Sequence, residues 1–271
     1  MDSRPTAREG AAEPTETGQW EEGAGADGAL AELDLFIDAL RRRDGLDFSG
    51  YKTSTLSRRI RQRMQFLRCA DVADYAARID GDEAERRVLA GELLVNVTEF
   101  FRNAPVFSLL ARETLPDLLR DRNPGDELRL WSAGCATGEE AYSLAMLALD
   151  AAEHAGFTGG VKVFATDLHP EALAAASAGI YDDEAVRTIP EPLLRRFFQR
   201  EGTRWRAESA LRRHVVFARH NLLVDPPFTR LDLVVCRNLL IYLRPEAQLK
   251  ALDQMHFALK PKGLLLLGTS E

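Results

Sequence analysis

The stretch Leu128-Arg129-Leu130-Trp131-Ser132-Ala133-Gly134-Cys135-Ala136-Thr137-Gly138-Glu139-Glu140 decides the fold. A short apolar run gives way to a loop of small residues that opens directly into a helical pattern, the order strand, tight turn, helix that starts an open α/β sheet. Further apolar runs at 161–165, 215–218, 231–236 and 264–267 alternate with helical stretches. The run Leu231-Asp-Leu-Val-Val-Cys236 is nearly continuous in apolar character, as a strand buried on both faces requires. A parallel sheet covered by helices is therefore predicted, with a small hairpin at Phe197 to Arg206 inserted into it, the insert spanning about 193–217.

The small-residue loop lets a ligand approach the backbone. Twenty-nine residues beyond Gly138 the next strand ends in Thr166-Asp167, which puts an acid at the carboxyl edge of the sheet, where ribose hydroxyls can donate to it. The loop lacks the G-x-G-x-x-G of dinucleotide sites, and its helix starts with Glu139 and Glu140, which would repel a pyrophosphate. A cationic ligand is tolerated there. Adenosine, an ammonium and a sulfonium together describe S-adenosylmethionine, so methyl transfer displaces nicotinamide chemistry as the leading idea.

The rest of the 271 residues frames this domain. With 45% hydrophobic and 28% charged residues, the chain has ample core for one large or two modest domains. No run reaches the ~18 uncharged apolar residues of a membrane-spanning helix, and the N-terminus is acidic, so a soluble cytoplasmic protein without membrane insertion is expected. Cys69, Cys135 and Cys236 lie too far apart for a disulfide framework or a zinc knuckle, and the five histidines have no metal spacing. No metal is predicted. Residues 1–28 carry seven acids against Arg4 and Arg8, with little apolar content, and read as a disordered acidic tail. Residues 29–92 read as a helical domain and 93–271 as the α/β domain. Within the helical part, Leu56, Ile60, Met64 and Leu67 form one apolar stripe; Arg58 and Arg61 face away from it, and Arg59 and Arg63 flank it. Nine basic residues between Arg41 and Arg68 face only Asp44 and Asp47, a surface where something acidic can dock.

From about Phe48 to the end the sequence resembles the CheR-type chemotaxis receptor methyltransferases. The resemblance is carried by Tyr51-Lys52-Thr53-Ser54-Thr55-Leu56-Ser57-Arg58-Arg59-Ile60 with Arg63-Met64, then by Asn96-Val97-Thr98-Glu99-Phe100-Phe101-Arg102. It continues through Trp131 to Glu140, Ala165-Thr166-Asp167, His220-Asn221-Leu222-Leu223, Cys236-Arg237-Asn238-Leu239-Leu240-Ile241-Tyr242 and Gly268-Thr269-Ser270-Glu271, all in family order. The resemblance implies a Rossmann-like methyltransferase domain with an inserted small β-subdomain, preceded by an all-helical domain. It further implies transfer of a methyl group from S-adenosylmethionine to glutamates on the cytoplasmic helical bundle of a chemoreceptor, yielding glutamyl methyl esters and S-adenosylhomocysteine. By the same match Asn96, Thr98, Arg102, Glu140, Asp167, Asn221, Leu222, Arg237 and Asn238 line the cofactor site, Asp167 on the ribose and Asn221 near the adenine. Arg102 and Tyr242 stand closest to the reacting groups, and Arg58, Arg59, Arg61 and Arg63 meet the receptor.

Two departures matter. Family members that bind a pentapeptide tether have a longer, glycine-rich turn than Glu201-Gly202-Thr203-Arg204-Trp205, so a tether-independent mode is expected. The family's sheet also continues into a closing pair of strands, whereas this sequence stops at Glu271 and leaves an edge to be covered. Two other functions compete with receptor methylation. One is a methyltransferase of other specificity, nucleic acid included; no aromatic-interleaved basic patch and no base-flipping motif at the fourth strand's end supports it. The other is a catalytically impaired S-adenosylmethionine-binding scaffold.

Overall fold

In the computed structural model, which describes residues 35–37, 40, 47–94, 97–120 and 122–271, eight strands form two sheets. In chain order they are β1 (Glu127–Ala133), β2 (Gly160–Asp167), β3 (Ile180–Asp182), β4 (Phe198–Glu201), β5 (Arg204–Ala207), β6 (Val215–Arg219), β7 (Leu231–Cys236) and β8 (Leu259–Leu267). The main sheet has the order β6-β2-β1-β7-β8, and every pairing in it is parallel. The chain thus runs outward from β1 on one side, then returns to β7 on the other, and the reversal opens a crevice at the carboxyl ends of β1 and β7. All five predicted strands are present and each is longer than or equal to its apolar run; β8 begins five residues early, at Leu259.

Register sets the site. Ala218, Thr166, Ala133, Cys236 and Leu267 lie level across the five strands, so the residues that follow them all emerge at one rim. Strand β7 is buried at every position, which is why it is apolar on both faces.

The small sheet, ordered β3-β5-β4, is antiparallel and falls between β2 and β6. It recruits a third strand, β3, upstream of the interval 193–217, and residues from Val215 onward belong to the main sheet. Three residues are too short a run to announce a strand; Ile180 to Asp182 become one because β5 offers them an edge.

From Thr53 onward the described residues form ten α-helices: α1 (Thr53–Leu67), α2 (Val72–Asp80), α3 (Glu83–Leu93), α4 (Ala104–Leu109), α5 (Leu115–Leu119), α6 (Glu139–His154), α7 (Pro170–Ala178), α8 (Glu191–Phe197), α9 (Ser209–Arg212) and α10 (Pro245–Ala258). A π turn at Leu110–Thr114 joins α4 to α5. The acidic segment 1–28 and Asn96 lie outside the described residues. None of the helices is long and apolar enough to cross a membrane.

Two apolar clusters sandwich the sheet. On one face Leu128, Leu130, Val163 and Val235 pack against α6 through Ala141, Leu144, Ala145 and Ala148, and against the small sheet through Tyr181 and Phe198. On the other, Trp131, Ala133, Val234 and Cys236 pack with Ala251 and Met255 of α10, and this cluster continues into Leu56, Ile60, Tyr75, Leu89 and Leu93 of the helical domain. The two domains therefore share one core. The stripe on α1 behaves as its spacing requires: Leu56 and Ile60 are buried, Met64 and Leu67 partly so.

Two polar networks sit inside this packing. Asp232, buried near the start of β7, accepts from Arg129 N–H (2.8 Å) and Lys260 Nζ (2.8 Å) and pairs with Arg122 Nη2 (2.6 Å). Glu85 of α3 takes Arg63 Nε (2.6 Å) and Nη2 (2.5 Å) together with the Tyr75 hydroxyl (3.0 Å). Removing one partner of a buried ionic group strands the others. Replacement of Asp232 by Ala is expected to lower unfolding free energy by about 3 kcal/mol in urea titrations, a loss no equally buried Leu→Val change would match.

Arg63 holds the Glu85 carboxyl below the usual carboxylate range, against the opposing pull of burial. Because the folded pKa is depressed, this contribution is complete above the unfolded value and disappears as pH falls through the folded one. The wild type's urea-midpoint advantage over Glu85→Gln is expected to be constant at neutral pH and to shrink once pH drops below ~4.3, the ordinary glutamate value.

Candidate active site

The loop after β1 is pinned across the end of β2. Gly134 and Cys135 N–H donate to the Thr166 carbonyl at 2.8 and 2.9 Å, and the Trp131 indole donates to Thr166 Oγ1 at 2.9 Å. Asp167, the last residue of β2, accepts the Ala136 N–H on Oδ2 (2.8 Å) and the His169 N–H on Oδ1 (2.9 Å). Its carboxylate is thus oriented by backbone on both oxygens, each of which retains acceptor capacity for a ligand. Gly138 begins α6 at φ +95°, and a Cβ there would sit 2.8 Å from the Ala176 side chain. Only glycine gives both the turn and the close approach of α6 to α7.

A cleft opens at this rim, walled by Gly134, Asp167, Asn221, Leu222, Asn238 and Tyr242, with Tyr51, Thr166 and His220 also lining it. Asn221 Oδ1 accepts the Leu223 N–H (2.9 Å), while Asp225 Oδ2 takes the Asn221 N–H (2.7 Å), so the turn after β6 is locked from both directions. Asn238 adopts a left-handed conformation, φ +59°, at the exit of β7. That exit is held by Glu271: Oε1 accepts the N–H of Leu239 (2.7 Å) and Leu240 (3.2 Å), and Oε2 that of Gly268 (2.6 Å).

A second group adjoins the first through β1. Glu140 in the first turn of α6 accepts from Ser132 Oγ (2.9 Å) and pairs with Arg237 Nη1 (3.4 Å). Arg237, itself buried, donates through Nη2 to the Arg102 carbonyl (2.9 Å) and lies over the Phe107 ring. Burial raises the Glu140 pKa and Arg237 opposes that rise, leaving a carboxylate that a further cationic group would stabilise. Arg102 stands on a tight turn between Phe101 and Asn103, both at positive φ, and donates from Nη1 to the Val97 carbonyl (2.9 Å). The Phe101 N–H is anchored by Ser143 Oγ (3.0 Å).

The structure thus brings Asp167, Asn221, Leu222, Asn238 and Tyr242 to one cleft, and links Glu140, Arg237 and Arg102 by hydrogen bonds beside it. Thr98 is half-buried on the linker and does not wall this cleft. Cys135 and Cys236 flank the rim, but burial pushes both thiols well above their ordinary pKa, so neither is a thiolate nucleophile. Tyr51, His220 and Glu271 carry no local sequence signal for the site; each sits inside a family motif, and the tertiary contacts alone show its position.

On α1, Arg58 and Arg61 are exposed. Arg59 instead donates to the Glu92 carbonyl (2.5 Å), and Arg63 is committed to Glu85 and Glu92. Those two guanidiniums brace α1 against α3, because the residues that flank an apolar stripe also face the neighbouring helix.

Glu271 is expected to control the order of the β7 exit. In Glu271→Ala, amide exchange at Leu239 and Leu240 should accelerate roughly tenfold while β1 amides keep their protection, as hydrogen-exchange mass spectrometry would show.

Comparison with known proteins agrees with this architecture. Residues 96–271 match the family model "CheR methyltransferase, SAM binding domain", and residues 31–94 match "CheR methyltransferase, all-alpha domain". Chemotaxis protein methyltransferase 1 of Pseudomonas aeruginosa is 35% identical over 250 residues, covering 90% of each chain. The chemotaxis protein methyltransferase of Listeria monocytogenes is 32% identical over 238 residues, 88% of each. An uncharacterized 104.1 kDa protein of Rhodobacter capsulatus is 44% identical over 239 residues, 88% of this chain but 25% of that protein, so the chain spans a quarter of that relative's length.

Proposed function

Because the chain belongs to the CheR methyltransferase family and its cofactor is S-adenosylmethionine, we propose that it methylates glutamate side chains on the cytoplasmic helical bundle of a chemoreceptor. The observation that carries this reading is the oriented carboxylate of Asp167 on the wall of a cleft at the sheet's reversal point, with the buried Glu140 carboxylate held beside that cleft and no phosphate-binding fingerprint in the loop between them. The donor set fits the cofactor. Asp167 offers acceptors to the ribose diol, Asn221 an amide edge to the adenine with Leu222 as its apolar support, and Glu140 a negative charge to the amino-acid ammonium. Arg237 pairs with Glu140 and opposes the rise that burial imposes on its pKa, and Asn238 lines the cleft together with Asp167.

The cofactor supplies an activated methyl group on a sulfonium. The chain's task is then geometric, since a glutamate acceptor with a pKa near ~4.3 is already ionised at neutral pH and needs no general base. Arg102 suits the clamp: Nη1 is tied to Val97, its carbonyl is held by Arg237, and its remaining N–H groups can orient one carboxylate oxygen toward the methyl carbon. A guanidinium also damps the nucleophilicity of the oxygen it binds, so it must hold the spectator oxygen. Tyr242, on the cleft wall, excludes water from the line of attack. The products are a γ-glutamyl methyl ester and S-adenosylhomocysteine.

Docking falls to Arg58 and Arg61 on the solvent face of α1, with Arg59 and Arg63 acting through its brace on α3. The short turn at Gly202 supports recognition without a tether, and a cytoplasmic receptor bundle as substrate would require the enzyme to work in the cytoplasm. Incubation with methyl-labelled cofactor and receptor-containing membranes is expected to release base-labile methanol from receptor-sized bands. Arg102→Ala should reduce that release at least 100-fold. Charge reversal of Arg58 and Arg61 should abolish receptor binding and leave cofactor affinity intact. Cofactor binding without any methanol release would instead favour the scaffold reading.

A further inference from the structure

The segment Gly50 to Thr53, which leads into α1, is stitched to the loop that carries Tyr242. Lys52 donates from its backbone N–H to the Tyr242 carbonyl and from Nζ to the Ile241 carbonyl, both at 2.8 Å. In return Arg244 donates from its backbone to the Gly50 carbonyl (2.8 Å), from Nε to the Tyr51 carbonyl (2.9 Å) and from Nη2 to Thr53 Oγ1 (3.0 Å). Tyr51 and Leu243 complete an isolated antiparallel bridge. The backbone of Tyr51 is therefore fixed from both sides, and its ring is buried edge-on against Phe48.

What this arrangement presents to the cleft is a phenol. Tyr51 lines the same walls as Asp167, close enough that the Asp167 charge adds to burial in pushing its pKa up. Its hydroxyl makes no hydrogen bond to another described residue and is not sealed from solvent. A rigid phenol aimed into a cleft beside an oriented carboxylate, with both hydrogen-bonding capacities unused, is arranged for a ligand that carries hydroxyls.

We propose that Tyr51 belongs to the S-adenosylmethionine site, its hydroxyl bonding the ribose that Asp167 holds, so that the helical domain forms one wall of the cofactor cleft as well as the docking face. The inference rests on the assignment of the cleft to that cofactor. Its consequence is that the residue touching the cofactor lies two positions before the helix that meets the receptor, with Lys52 between them holding the Tyr242 loop.

Titration calorimetry with S-adenosylhomocysteine on the full chain tests this without turnover. Tyr51→Phe, which keeps the ring and its packing, is expected to weaken binding about 3- to 10-fold, the worth of one neutral hydrogen bond, with an unchanged urea midpoint. In an Asp167→Asn background the same change should cost less than twofold, because a ribose no longer held offers Tyr51 no fixed hydroxyl. Binding by Tyr51→Phe as tight as wild type, or additive losses in the double variant, would overturn the proposal. Failure of the wild type to bind would overturn the cofactor assignment itself and this inference with it.

Discussion

The parallel register of the main sheet is the constraint on which everything else depends. Because Ala218, Thr166, Ala133, Cys236 and Leu267 lie level, the chain leaves five strands at one height, and the residues that follow are delivered to a common rim. Reversal of the connection between β1 and β7 then parts the loops there and leaves a crevice. A slip of one residue in β2 would turn Asp167 to the opposite face and remove the carboxylate from the crevice. Such a slip is opposed by the alternation of β2, which buries Val161, Val163 and Ala165 on one face and leaves Lys162 and Phe164 partly covered on the other, so the packing energy of the core and the geometry of the site are the same requirement.

Polar groups at the rim are held chiefly by backbone. Asp167 is oriented by two N–H groups, the Asn221 turn by a side chain on each side, and the β7 exit by Glu271. Backbone donors of this kind have little freedom to rearrange, so the cleft is preorganised and a ligand need not order it. Glu140 is different, being buried, raised in pKa and, among the described residues, paired with one cation, Arg237. Its environment favours an additional positive charge, which complements a ligand bearing an ammonium.

The helical domain belongs to the catalytic unit rather than standing beside it. Its apolar residues enter the cluster that covers one sheet face, and the segment before α1 is hydrogen-bonded to the loop after β7. Arg59 and Arg63 brace α1 against α3, which leaves Arg58 and Arg61 projecting from a rigid helix. Rigid presentation lowers the ordering cost of any docking on that face.

The fold class, the five core strands, the amphipathic α1 and the loop from Gly134 to Glu140 were legible in the sequence, since periodicity, small-residue loops and strand-end acids are local signals. The family motifs extended that reading to Asn221, Arg237, Asn238 and Tyr242. Local signals fail where a residue's role is fixed by a distant neighbour. Ile180 to Asp182 form a strand only because β5 is there to pair with, Arg63 turns inward only because Glu85 lies across from it, and the Asp within the apolar run of β7 is tolerated only because Lys260, Arg122 and the Arg129 N–H surround it. Tyr51 reaches the cleft for the same reason: it stands 116 residues from Asp167 in sequence, and hydrogen bonds to the Tyr242 loop carry it there. The sequence by itself determined which elements form and which chemistry their ends carry; the tertiary structure decided which of those ends meet, because contacts between residues far apart in the chain are made only once a shared core has closed around them.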